Sequence, residues 1–248
     1  MQHDQTGTSS HHLRYQEKNG HDDEFKLELN CGQGHGIMKS IVSTGRVYDL
    51  PYVTEQSIGV FSYFDLRRHS DKIDEIPELK ADPVLKSLVR TLNDPTGLFM
   101  THGCAVARDR PGCEGYAIPI PDISANARCW YSSYVTFSLW LFDENKEERY
   151  RTIYEMYTPD VDDGSVCFEL QPVSFLSQKE RRLNMKYQQT NGTACLLWAS
   201  GWGNNFKESY GRWSRSVQHL TEFFNDFRMP QWCGFANSIT VSRYMSLD

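Results

Sequence analysis

The segment from Asn191 to Tyr244 constrains the fold of this chain more than any other. It begins with an apolar run typical of a buried strand and continues through a turn rich in glycine and asparagine that ends at Asn205. Apolar residues at the spacing of an amphipathic helix come next, and a closing strand follows. The segment holds no obvious nucleophile, general base or metal cluster. A segment so suited to packing and so poor in reactive groups indicates a protein whose product is a structure.

The length and hydrophobic content of the chain indicate a sizeable core. With 248 residues, 39% of them hydrophobic, the chain can bury the interior of one large domain or two small ones. Its longest apolar runs, such as Val135 to Phe142, are far shorter than the roughly 20 residues that span a bilayer. The first residues lack the basic start and apolar stretch of a secretion signal. We therefore expect a soluble protein made in the cytoplasm, with no membrane partner.

The cysteines and the net charge disfavour several kinds of site. Seven cysteines without a CxxC pair predict free thiols in or near a core, rather than a disulfide framework or a zinc ribbon. The formal net charge of −6 argues against a nucleic-acid-binding surface. The basic doublets Arg67–Arg68 and Arg181–Arg182 are interpreted as surface pairs. We expect no metal site and no direct binding of nucleic acid.

Residues 1–24 differ in composition from the rest of the chain. Leu13 and Tyr15 are their only large apolar side chains after Met1, so this segment cannot bury a core of its own. Two interpretations compete: a disordered tail or tag, and a helix, capped by Thr8 or Ser9, that orders only against another subunit. The predicted organisation is an N-terminal arm, residues 1–24, and a core, residues 25–248.

Most of the predicted elements of the core are strands. Alternating or continuous apolar residues predict strands at Phe25 to Leu29, Ile37 to Val42, Ile58 to Phe64, Gly97 to Ala107, Tyr131 to Phe142, Arg149 to Tyr157, Val166 to Leu170 and Leu183 to Gln188. The fifth and sixth of these, joined by a charged connection, predict an antiparallel hairpin.

Two helices interrupt the strands. Asp82 is the expected N-cap of the first helix, which runs to Leu92, because a proline follows it and apolar residues then recur at helical spacing. The second helix runs from Phe206 to Phe227 and ends before Pro230. The predicted class is α+β, mainly β: an antiparallel β-sandwich flanked by helices, with a projecting N-terminal helical arm.

A glycine-rich loop gives the alternative function. Gly32, Gly34 and Gly36 follow a predicted strand and resemble the loop with which methyltransferases approach S-adenosylmethionine. A strand rather than a helix is predicted next, and no regular second βα unit follows. We favour a glycine turn between strands, and a small-molecule methyltransferase that uses this loop is the alternative.

An iron site is the other enzymatic alternative. His69 and Asp71 have residue types found in a site of two histidines and one carboxylate, with His102 or His219 as the distant ligand. Both lie in a polar, charged connection, so a solvated loop is the favoured interpretation. No serine nucleophile elbow is present, because the residue two before Ser200 is Trp198 rather than glycine. We assign no catalytic residue and do not expect an enzyme.

The C-terminal segment carries a resemblance to a known family. The order and spacing of Ala199 to Asn205, Ser209-Tyr210, His219-Leu220, Phe223 and the closing strand resemble the C-terminal part of cypovirus polyhedrin, the occlusion-body protein of cytoplasmic polyhedrosis viruses. The start of the chain, with Gly7-Thr-Ser and a short charged segment containing Arg14, resembles the start of that family. The resemblance covers about the last 60 and the first 20 residues; the middle agrees only in the order of its elements.

The resemblance implies a structural protein with a helix-flanked β-sandwich. It implies that the chain forms homotrimers, which pack into intracellular crystals that embed virus particles in the cytoplasm of the infected host cell. The N-terminal helix would grip neighbouring subunits. No cofactor is required, although some members of the family hold nucleoside triphosphates in the lattice.

The composition fits two properties of the family, assembly through the N-terminal arm and dissolution in alkali. Leu13, Arg14 and Tyr15 are the expected assembly contacts of the arm, because arginine and tyrosine are favoured at the centres of interfaces. Members of the family dissolve in the alkaline insect midgut, and ionising all 13 tyrosines and 7 cysteines would take the formal charge from −6 to −26. Repulsion between subunits is expected to grow in the same direction.

Overall fold

A computed structural model describes residues 25–29, 35–41, 47–50, 65–108, 127–140, 146–158, 165–177 and 189–227. Its strands are β1 (Phe25–Leu29), β2 (His35–Ile41), β3 (Val47–Leu50), β4 (Phe99–Arg108), β5 (Cys129–Leu139), β6 (Ser165–Ser177) and β7 (Gln189–Gly203). Its helices are a short 3-10 helix (Ser70–Glu75), α1 (Pro77–Ala81), α2 (Pro83–Leu92), α3 (Glu147–Met156) and α4 (Phe206–Asn225). The N-terminal arm, the strands predicted at Ile58 to Phe64 and Leu183 to Gln188, and the closing strand lie outside the described residues.

The described strands form one sheet in the order β1-β2-β6-β7-β5-β4, with β3 also paired to β6. Its centre is the four-stranded antiparallel sheet β6-β7-β5-β4. Strands β2 and β3 both run parallel to β6. The predicted α+β class with an antiparallel sheet and helices is confirmed, and the parallel edge is an addition to it.

The predicted strand from Arg149 to Tyr157 is wrong, and the hairpin built on it is wrong as well, because this segment forms helix α3. Tyr150, Ile153 and Tyr154 are its buried residues, and their spacing of three and four is helical. Arg151 also donates from Nε and Nη2 to Glu147 Oε1, at 2.9 and 2.6 Å. This pair, four residues apart, stabilises a helix and would have no counterpart in a strand.

The two other long helices form where the sequence predicts them. Asp82 caps α2, because its Oδ1 accepts hydrogen bonds from the backbone N–H groups of Val84 and Leu85 at 3.1 Å. Asn205 caps α4 by accepting from the N–H of Glu208 at 3.0 Å. No helix within the described ranges is long and apolar enough to cross a membrane.

The described helices share one hydrophobic core with one face of the sheet. Helix α4 lies along β7 and β5, and α2 packs against α4. Phe99, Phe137 and Phe224 meet at ring distances of 5.2 to 5.4 Å in edge-on arrangements, which aromatic rings prefer. Leu85, Leu92, Trp213 and Leu220 are fully enclosed in the same core.

The opposite face of the sheet is polar and also buried. Ser132 and Ser200 face each other across β5 and β7 with their hydroxyl oxygens 2.8 Å apart. Gln171 donates to Glu169 at 2.7 Å on β6. The buried apolar residues outside the main core, which include Met100, Trp130, Cys167, Leu196 and Trp202, lie on this face.

Candidate functional site

The junction between β7 and α4 is the candidate functional site, because two of the segments that carry the family resemblance, Ala199 to Asn205 and Ser209-Tyr210, meet there. Helix α4 crosses β7 at Gly201 and Gly203. A Cβ atom at Gly201 would overlap the Ser209 carbonyl oxygen and the Trp213 nitrogen, and would lie 2.9 Å from Trp213 Cβ. A Cβ atom at Gly203 would lie 2.8 Å from Glu208 Cβ. Both glycines are therefore needed for close approach of helix and strand.

Polar side chains fix the first turn of α4 on the end of β7. Glu208 Oε2 accepts from the Asn204 N–H at 2.9 Å, and Glu208 Oε1 lies 2.8 Å from Arg212 Nη2. Arg212 Nη1 in turn donates to the carbonyl oxygen of Trp202 at 2.8 Å. An acidic residue in the first turn also interacts favourably with the helix dipole. The turn is shorter than predicted and consists of Asn204 and Asn205, because β7 continues to Gly203.

An aromatic cluster seals this junction on the core side. Tyr131 on β5 contacts Tyr210 and Trp213 of α4 at ring distances of 5.2 and 4.5 Å. Trp213 Nε1 donates to Ser133 Oγ at 2.9 Å. The Tyr131 hydroxyl donates to Asp82 Oδ2 at 2.8 Å. Since Asp82 also caps α2, one buried carboxylate links α2 to the sheet beneath α4.

Arg67, predicted as part of a surface pair, is half-buried, and a cluster of backbone carbonyl oxygens accepts hydrogen bonds from its guanidinium. Arg67 Nη1 donates to the carbonyl oxygens of Asp94, Gly97 and Phe99 at 2.9, 3.0 and 2.7 Å, and Nη2 donates to that of Pro95 at 2.8 Å. Its guanidinium carbon lies 4.8 Å from the Trp140 ring centre. Burial lowers the pKa of Arg67, and the charges of Asp65 and Asp94 oppose that shift. No local sequence signal distinguishes Arg67 from Arg68, which is exposed.

The residues of the alternative iron site are not brought together. His69 and Asp71 are exposed at the 3-10 helix, His102 is buried in β4, and His219 lies on α4 with its ring 5.4 Å from that of Tyr157. Within the described ranges, no group of three or more histidine, cysteine, aspartate or glutamate side chains is placed to hold a metal ion. The favoured interpretation of an exposed polar connection agrees with the placement of His69 and Asp71.

The glycine loop of the alternative methyltransferase joins two antiparallel strands. Strand β1 pairs with β2 from Leu29 opposite Ile37 to Phe25 opposite Ile41. Gly36 lies within β2 rather than at the start of a helix. A cofactor loop of this kind needs a helix at that point, since the helix N-terminus binds the ligand. The side chains of this loop, and the assembly residues Leu13, Arg14 and Tyr15, lie outside the described part of the chain.

His102 is a buried histidine that burial keeps neutral. Its Nε2 lies 2.7 Å from Ser138 Oγ, and it is buried on the polar face of the sheet next to the β4 bulge between Thr101 and Gly103. Burial lowers the pKa of His102 from 6.5 to about 3. The unfolded chain therefore binds a proton below pH 6.5 that the folded chain does not bind.

We expect His102 to make the protein sensitive to acid. Its contribution to stability is complete above pH 6.5 and falls towards pH 3, by up to about 1.4 kcal/mol per pH unit. Urea unfolding at pH 7, 5 and 4 would show a smaller loss of stability for His102→Gln than for wild type. The exposed variant His69→Gln is the matched control and should follow wild type. Equal acid sensitivity in all three proteins would contradict the assignment.

Two buried groups, Cys195 and Tyr150, and the half-buried Cys104 make the protein sensitive to alkali. Burial, helped by the charge of Glu78, raises the pKa of the Cys104 thiol from 9.0 to about 12. Burial also holds the pKa of Cys195 and of Tyr150 well above the ordinary values. The Tyr150 hydroxyl accepts a hydrogen bond from the Leu139 N–H at 3.1 Å, which connects α3 to the end of β5.

We therefore expect the free energy of unfolding to fall as the pH rises above about 9. The folded chain keeps these protons while the unfolded chain releases them, and each group removes up to about 1.4 kcal/mol per pH unit until its folded pKa is reached. Denaturant titrations at pH 7, 9 and 10.5 should show a shallower decline for Cys104→Ala than for wild type. An unchanged decline would show that Cys104 ionises freely in the folded protein.

Comparison with known proteins does not assign this chain to a family: no protein-family model, no curated protein sequence and no solved structure matches it. The functional proposal therefore depends on the residues themselves.

Proposed function

We propose that this chain is a structural occlusion-body protein of the cypovirus polyhedrin kind. It would self-assemble into homotrimers and then into intracellular crystals that embed and protect virus particles in the cytoplasm of the infected cell. The observation that carries the proposal is the structural role of the residues that resemble the polyhedrin family. Gly201, Gly203, Asn205 and Ser209 serve the contact of β7 with α4, and none of the hydrogen bonds formed by their side chains leads to a reactive group within the described residues.

The polar face of the sheet supports the finer part of the proposed fold, the sandwich. Trp130 and Trp202 are only 8% exposed on that face, while the buried apolar residues of the described helices all belong to the core on the other face. A sheet buried on both faces is a middle layer. We propose that the rest of the chain supplies the second layer, and that residues 1–24 form the projecting arm.

The alkaline sensitivity of the subunit supports the proposed release of virus. A particle that dissolves at high pH needs groups that are neutral in the assembled state and ionise in alkali. Burial raises the pKa of Cys104, Cys195 and Tyr150, so these groups keep their protons in the folded subunit and lose them when it unfolds, which makes alkali weaken the subunit. The other 12 of the 13 tyrosines would add negative charge to each subunit if they ionise in the folded state.

Expression of the full chain in cultured cells, followed by electron microscopy, tests the proposed function. We expect dense particles with a crystalline lattice, which release soluble oligomers only at alkaline pH. Soluble monomer that binds S-adenosylmethionine or iron at neutral pH would contradict the proposal and favour the enzymatic alternatives.

The arm provides a sharper test of assembly. The variant Leu13→Ala/Arg14→Ala/Tyr15→Ala should fold normally and fail to form particles, because it loses the expected contacts with neighbouring subunits. The matched control His11→Ala/His12→Ala changes adjacent polar residues and should still assemble. Electron microscopy measures particle formation, and circular dichroism of the soluble fraction measures folding. Normal particles from the triple variant would exclude these three residues as assembly contacts.

A further inference from the structure

Strand β4 has an open edge within the described sheet. Among the described strands it pairs only with β5. The backbone N–H and C=O groups on the other side of such a strand are free to pair with another segment. Proteins usually protect an edge of this kind, or cover it.

Side chains already satisfy the first part of this edge. Arg67 Nη1 donates to the Phe99 carbonyl oxygen at 2.7 Å. Asn93 Oδ1 accepts from the Thr101 N–H at 3.1 Å, and Asn93 Nδ2 donates to Thr101 Oγ1 at 2.7 Å. Pairing with a further strand is therefore blocked before the bulge and available from Gly103 onward.

Apart from the bulge at its start, the open part of β4, residues 103–108, lacks the usual protection of an edge strand. Its sequence contains no lysine and no proline, and its one charged residue is the terminal Arg108. Gly103 is exposed, and Cys104 and Val106 are half-buried at the margin of the main core. Proteins usually cover an apolar strand edge with half-buried side chains by another segment of chain.

The described chain ends beside the start of this strand. The Phe227 ring lies 5.8 Å from the Phe99 ring. Six residues, 228–233, then precede Gly234, and a fully extended connection of this length reaches about 24 Å. Gly103 is about 13 Å along β4 from Phe99 and Arg108 about 30 Å. The connection is long enough to reach the start of the open part, and too short to reach its far end.

Residues 234–244 have the pattern of a half-buried strand. Phe235, Ile239 and Val241 lie on one side of an alternating pattern that Asn237 interrupts, and the small or polar residues Ala236, Ser238, Thr240 and Ser242 lie on the other side, which is close to the period of two that strands require. We propose that residues 234–244 of the same chain add to β4 beyond Gly103 as a parallel strand. The apolar side of the segment would continue the core past Cys104 and Val106. This inference does not depend on the proposed function.

Hydrogen–deuterium exchange of the full-length chain tests the pairing, on soluble protein or on suspended particles. We expect the amides of residues 103–108 that point away from β5 to exchange at least about tenfold more slowly than unpaired chain. Exchange at the rate of unpaired chain would overturn the proposal. Loss of protection when soluble oligomers are diluted to monomers would assign the edge to a second copy, and would also overturn it.

Proline substitutions identify the covering segment. Alternate amides of an added strand face β4, so one of the variants Ile239→Pro and Thr240→Pro must remove a hydrogen bond of the ladder. We expect that variant to lose the protection of residues 103–108, with β7 amides as the internal reference for intact folding. Ser246→Pro, outside the segment, is the control. If the β7 amides also lose protection, the variant is unfolded, and the pairing is then tested by the exchange of residues 103–108 in the wild-type protein. Protection unaffected by both variants would show that another segment covers the edge.

Discussion

Replacing Gly201 by alanine is expected to destabilise the protein by about 3 kcal/mol or more, or to prevent folding. The added methyl group would overlap the backbone of α4 at Ser209 and Trp213, and neither strand nor helix can move without disturbing the core. Overpacking of this kind costs about 1–3 kcal/mol in a side-chain environment, and rigid backbone leaves less room to relax. Chemical denaturation followed by tryptophan fluorescence measures the effect.

Gly211→Ala is the matched control for this prediction. Gly211 lies within α4, and among the described residues a Cβ atom there would meet only Arg215 Nη1, at 4.0 Å. Alanine favours a helix over glycine by about 1 kcal/mol, so this variant should be as stable as wild type or more stable. Equal effects of the two substitutions would show that α4 does not lie against β7 as described.

Replacing Arg67 by methionine is expected to lower the free energy of unfolding by about 3 kcal/mol. Methionine keeps much of the side-chain volume and removes all four donated hydrogen bonds, so that the carbonyl oxygens of residues 94, 95, 97 and 99 lose a charged partner. Arg67→Lys should retain part of the stability, because an ammonium group cannot reproduce the planar fork of a guanidinium.

Arg68→Met is the control for the charge itself. Arg68 is exposed, and its Nε lies 3.6 Å from Asp65 Oδ2, so the variant should change stability by less than about 1 kcal/mol. Denaturant titration of the three variants would give the order wild type, Arg68→Met, Arg67→Lys, Arg67→Met. Similar stability of Arg67→Met and Arg68→Met would contradict the role of Arg67.

Several elements were predictable because their signals are local. The predicted cap Asp82 satisfies backbone N–H groups two and three residues away, so the sequence around it is sufficient. The apolar spacing of α2 and α4 likewise fixes their buried faces. The prediction of a strand at residues 149–157 was wrong. Aromatic and branched residues there favour a strand, while their spacing of three and four residues favours a helix. The helical spacing prevailed because it lets α3 bury Tyr150 and Tyr154 together.

The candidate site was predictable in location but not in its contacts. The density of glycine and asparagine predicted a turn at residues 201–205, but only the close approach of α4 shows why no residue larger than glycine fits at position 201. Arg67 and Arg68 are chemically identical neighbours, and only the fold places one guanidinium among four carbonyls and leaves the other exposed.

The sequence by itself determined the order of helices and strands around the C-terminal segment, because capping and periodicity depend on residues a few positions apart. Only the tertiary structure decided that β2 and β3 run parallel to β6, that Asp82 joins α2 to Tyr131, and that Gly201 and Gly203 of β7 lie under a helix. These contacts join residues far apart in the chain, and their energies depend on burial and approach distance, which no local pattern contains.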